Sequence, residues 1–193
     1  MKRIQFSWIV VIFLTQCGIP TCAHAQQVLP VYFDLGNRLT EDFQGTYEFK
    51  HKHLEFVRKD GGTYSVNSSG DQSPSQARVV AKNGYVYWVL GQSGERWIAL
   101  KATLRRGDKW HHRLEGWDQL YRVAASDETV SVPAGLFPHC ARVEVSWSAN
   151  EHDMRGPQKV VYYLAPHLGI IKREVWSNGE KWHEEVLSRY ETR

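Results

Sequence analysis

Apolar and polar residues alternate in short runs along most of the chain, and Gly, Asn and Asp bound the runs. A period of two predicts antiparallel strands with one face on a core. Tyr47, Phe49, His51 and His53 share one phase, whereas Leu54 and Phe56 fall in the other, which predicts a bulge or twist after His53. Asp60-Gly61-Gly62, Asn83-Gly84 and Asn178-Gly179 read as hairpin turns. Residues 67–77 read as a polar loop, and 121–125 and 128–132 as separate strands. Further along, Ala141, Val143, Val145 and Trp147 alternate with Arg142, Glu144 and Ser146. No stretch holds a period of 3.6. The pattern predicts one all-β domain of about ten strands with little helix.

The first 25 residues depart from this pattern. Lys2 and Arg3 precede the apolar run Phe6 to Leu14, and Ala23-His24-Ala25 closes the segment. That is the architecture of a secretory signal peptide over 1–25, which leaves 26–193 as a single exported β domain, periplasmic or secreted. The apolar run falls short of the roughly 20 residues that span a bilayer, so no stable transmembrane anchor is expected. Leu14-Thr15-Gln16-Cys17-Gly18 offers an alternative, a lipoprotein anchored through Cys17, although Gln16 stands where such a site carries a small residue. Loss of Cys17 and Cys22 with the leader would leave Cys140 alone, and no internal disulfide.

Composition narrows the function classes. The chain is 42% hydrophobic and 23% charged, as ordinary globular domains are. Its formal charge of +3 falls to about +1 once Lys2 and Arg3 are removed, and no dense basic run exists, which argues against a nucleic-acid partner.

Four segments resemble a pattern found in exported bacterial proteins of unknown function. They are Tyr32-Phe33-Asp34-Leu35-Gly36-Asn37, residues 97–110, Val130-Ser131-Val132-Pro133-Ala134-Gly135-Leu136-Phe137-Pro138-His139-Cys140-Ala141-Arg142-Val143, and Tyr162-Tyr163-Leu164-Ala165-Pro166-His167-Leu168-Gly169-Ile170-Ile171-Lys172-Arg173-Glu174. The chain departs from that pattern at Asp34 and at Thr40-Glu41-Asp42, which interrupts the run into the first aromatic strand. The resemblance implies a single strongly curved antiparallel sheet or half-open barrel, similar to periplasmic lipoprotein and lipid carriers. It implies no catalytic residue. Pro133 with Gly135, and Pro166 with Gly169, read independently as corners of a bent sheet.

Candidate chemistry is sparse. Cys140 neighbours His139, but consecutive strand residues face opposite ways, so the pair makes no dyad, and Cys140 reads as a small buried hydrophobe. Gly91-Gln92-Ser93-Gly94-Glu95 lacks the last Gly of a nucleophile elbow. His51 and His53 are spaced as same-face ligands, with His112 a further candidate, yet no complete ligand set is readable and no metal or cofactor is expected. No catalytic constellation emerges, so the chain reads as a non-enzyme. Aromatic rings are the salient resource: of eight tryptophans, all but Trp8 lie beyond the leader. Trp88, Trp97, Trp110, Trp147, Tyr162 and Trp176 are the candidate lining of a concave face that binds an apolar or amphipathic ligand, such as a lipid, or an envelope protein. The alternative is a structural or accessory subunit of an envelope assembly, its core filled by the same rings.

Overall fold

The computed structural model describes residues 31–46, 50–59, 63–70, 75–90, 95–114, 117–147 and 158–193. The leader with Cys17, the rings of Tyr47 and Phe49, the turn at 60–62 and the serine segment at 91–94 lie outside them, as does the side chain of Trp97. A single 3-10 turn, Val31–Phe33, precedes twelve strands. They are β1 (Arg38–Gly45), β2 (His51–Lys59), β3 (Thr63–Gly70), β4 (Ser75–Lys82), β5 (Tyr85–Leu90) and β6 (Glu95–Lys101), then β7 (Lys109–Leu114), β8 (Trp117–Val132), β9 (Gly135–Trp147), β10 (Gln158–Ala165), β11 (Gly169–Ser177) and β12 (Glu180–Thr192).

All twelve form one antiparallel sheet in the order β6-β5-β4-β3-β2-β1-β12-β11-β10-β9-β8-β7. Two six-stranded meanders are therefore stitched together by β1 against β12, from Leu39 opposite Thr192 to Gly45 opposite Glu185. The sheet curls until its two edge strands meet, making an all-β barrel that is nearly closed. No ladder joins β6 to β7. Instead the Trp110 indole N–H donates to the Ala99 carbonyl at 2.8 Å, and His112 Nε2 lies 3.0 Å from the Arg96 carbonyl oxygen.

Local chemistry explains the elements. Asn83-Gly84 and Asn178-Gly179 both hold positive φ at two successive positions, as a two-residue hairpin turn of matching twist requires. The segments at 121–125 and 128–132 are one long strand, because register shifts between Val123 and Val130 absorb the polar residues between them within the ladder. The loop expected over 67–77 shrinks likewise, since β3 continues to Gly70 and β4 begins at Ser75. No bulge follows His53: β2 pairs in unbroken register with β1 and β3. Its inner face carries Lys52, Leu54 and Phe56, so a half-buried lysine in the inner phase disguises a regular strand.

Inside, the barrel is unevenly filled. Around β7 to β10 the rings and branched chains interlock: Trp110 stacks on Tyr121 with centroids 5.1 Å apart, beside Val123, Val143 and Val145. Tyr32, Phe33 and Leu35 cover one end, where the Leu35 N–H donates to the Tyr64 hydroxyl at 3.1 Å. Gly169, which lies next to this segment, holds a φ of +82°, a conformation that favours glycine. Between this cap, strands β1 to β6 and strands β10 to β12 the packing leaves a void.

Candidate functional site

The void has a volume of about 480 Å³, within the range of small-molecule sites. Its walls are mostly apolar: Phe33, Leu35, Phe43, Leu54, Phe56, Val66, Val79, Trp88, Ile98 and Leu168 among them. Each strand contributes through its alternation, which turns one side chain in two toward the interior. Phe56 and Trp88 meet edge to face with centroids 5.8 Å apart.

One stretch of wall is polar. Tyr162 on β10 lies opposite Arg173 on β11, which lies opposite Glu185 on β12. Glu185 is buried and accepts from Lys52 Nζ at 2.7 Å and from Arg173 at 3.2 Å. Beside this ion cluster stands Glu41 on β1, which is 2% exposed. One of its carboxyl oxygens, Oε1, is buried and has no hydrogen-bond partner. Burial lifts the Glu41 carboxyl well above the ordinary carboxylate range; the negative charge of Glu185 adds to the effect and Lys52 opposes it. Trp88, another lining residue, likewise has its indole N–H buried without an acceptor. Buried polar groups nearly always find partners, so both atoms are exceptions within the packing around the cavity.

The six candidate lining residues divide. Trp88 and Tyr162 line the cavity. Trp110 sits in the filled half, its N–H spent on the β6–β7 seam, and Trp147 packs partly buried against the core. Trp176 alternates with the buried Val175 and so lies on the outer face, beneath Lys159 Nζ at 4.7 Å from its ring centroid. Trp97 belongs to β6, where the pairing skips it between Arg96 and Ile98. Aliphatic residues and Phe supply most of the lining, which a search for large rings overlooks. Glu41, Lys52, Arg173 and Glu185 were missed as well. Thr40-Glu41-Asp42 had read as an interruption, yet it is the middle of β1, with Glu41 in the inner phase of Leu39 and Phe43.

The remaining candidates have structural surroundings. The Cys140 thiol is fully buried and donates to the Phe137 carbonyl at 3.3 Å; burial pushes its pKa up to about 11, the opposite of an activated nucleophile. His139 is exposed and pairs with Asp127 at 2.7 Å. His53 pairs with Asp42 at 2.7 Å on the outer face, and among the described residues no group of three or more His, Cys, Asp or Glu is placed to hold a metal ion.

No family model matches the chain, and no curated protein matches it. Solved structures do resemble it. A putative exported protein with a YmcC-like fold from Bacteroides fragilis superposes with a TM-score of 0.52 at 14% identity, covering 80% of this chain and 95% of that one. A putative lipoprotein from Parabacteroides distasonis gives 0.51 at 10% identity, covering 86% and 100%. At such identities the likeness is one of fold.

Proposed function

We propose that this chain is an exported, non-catalytic β barrel that holds the apolar part of an amphipathic ligand in the cavity between β1 to β6, β10 to β12 and the N-terminal cap. The observation that carries the reading is the cavity itself: about 480 Å³ with largely apolar walls and buried polar groups gathered on one stretch of them. A filled interior would favour the accessory-subunit reading, whereas a void of this size within an otherwise interlocked core favours a bound molecule. The signal-peptide pattern of residues 1–25 and the description of two fold neighbours as an exported protein and a lipoprotein support placement outside the cytoplasm.

Native mass spectrometry of the protein purified from its own host tests the proposal. We expect a species heavier than the polypeptide by the mass of a lipid, released on organic extraction. Protein that arrives bare under gentle ionisation, and extracts free of lipid, would overturn it.

A further inference from the structure

The polar stretch of the cavity wall sorts ligands by sign. Two cations, Lys52 and Arg173, and two carboxyl groups, Glu185 and Glu41, line it. The carboxyl groups are withdrawn from contact: the Glu185 side chain is 5% exposed and Glu41 is 2% exposed. Lys52 and Arg173 keep 25% and 24% of their side-chain surface. Of the charge on this stretch, the part that a ligand can touch is therefore positive.

The two cations stand on β2 and β11, on either side of the β1–β12 junction, and converge because both donate to Glu185, at 2.7 and 3.2 Å. A side chain held in this way gives up less freedom when a ligand arrives than a loose one would. Neither can accept a hydrogen bond. A cationic head would meet like charge here, and an uncharged one would displace water from two ions without replacing it fully. An anionic head gains charge-assisted hydrogen bonds, while its chain reaches the apolar walls at Phe56 and Trp88.

We infer that the cavity takes an anionic amphiphile, its carboxylate or phosphate head paired with Lys52 and Arg173 and its chain among the apolar walls. The inference deepens the ligand-binding reading above and rests on it.

Displacement of methyl cis-parinarate, an uncharged fluorescent probe, from the delipidated protein compares different heads on one chain: dodecanoate, dodecyl phosphate, dodecanol and dodecyltrimethylammonium. Both anions should compete about tenfold more tightly than dodecanol, and the cation no better than dodecanol. The more tightly held anion identifies the head. Lys52→Gln and Arg173→Gln should each cut the affinity for the anions about tenfold and leave that for dodecanol within about threefold of the parent. Each variant leaves Glu185 one cation, and near-UV circular dichroism checks that it is folded. Should either fail that check, the comparison of heads on the unsubstituted protein decides. Anions that bind no more tightly than dodecanol, or a preference for them that survives in both variants, would overturn the inference while leaving an apolar ligand cavity standing. If methyl cis-parinarate and all four competitors fail to bind the unsubstituted protein, the inference falls together with the proposed function.

Discussion

Glu41 carries a carboxyl into an apolar interior, and its neighbours determine what that costs. Its pKa in the fold lies well above its ordinary value of 4.5, so the folded state keeps a proton that the unfolded chain has already released. Stability attributable to this site is therefore highest below pH about 4.5 and falls as pH rises toward the folded pKa. Glutamine cannot titrate. In urea denaturation, Glu41→Gln should gain on the parent by up to about 1.4 kcal/mol for each pH unit in that window. A difference that stays flat with pH would mean the carboxyl is ionised in the fold. Glu184 on the outer face has the opposite sign. Burial raises its pKa, but ion pairs with Lys172 and Lys181 at 2.9 Å outweigh this and hold it below 4.5, so its contribution is lost on acidification. At Gly169, alanine would have to adopt φ +82°, and should cost about 1–2 kcal/mol, read from the shift in urea midpoint.

Among the elements, β12 joins the two meanders, and Leu187 is its fully buried contribution, opposite Phe43 across the β1 ladder. Leu187→Ala should cost about 2–5 kcal/mol by chemical denaturation, against well under 1 for the exposed Leu136 in the β8–β9 hairpin. Strands and hairpins of this kind were legible from alternation and from the Asn-Gly turns, because both depend on neighbours in sequence. The all-β, strongly curved architecture followed. The polar half of the site was not legible. Lys52 and Glu41 sit in inner phases where pattern reading expects apolar residues; Lys52 is there to pair with Glu185, which approaches only when β12 pairs with β1, and no ion pair accounts for Glu41. Rings misled for a related cause: Trp176 alternates in step with its strand, but alternation does not say which face is inside.

For the molecule as a whole, the seam between β6 and β7 is the weak line of the barrel. Every other adjacent pair shares a ladder, whereas here a tryptophan and a histidine clasp two carbonyls of the facing strand. Trp110→Phe keeps most of the packing on Tyr121 but strands the buried Ala99 oxygen, and should cost about 1–3 kcal/mol. Amide hydrogen exchange locates the effect. Protection should drop first in residues 95–101 and 109–114, and a uniform drop across all strands would show that the clasp is not a local closure.

The pairing of β1 with β12 also fixes when the fold can be completed. Every other ladder joins strands adjacent in sequence, so each meander can zip by short steps as the chain emerges. The first strand, however, waits with a bare edge until the last has been delivered. A nascent chain is accordingly vulnerable to sticking to its fellows through that edge for nearly the whole of its synthesis, and anything that shortens the final strand would leave the vulnerability permanent.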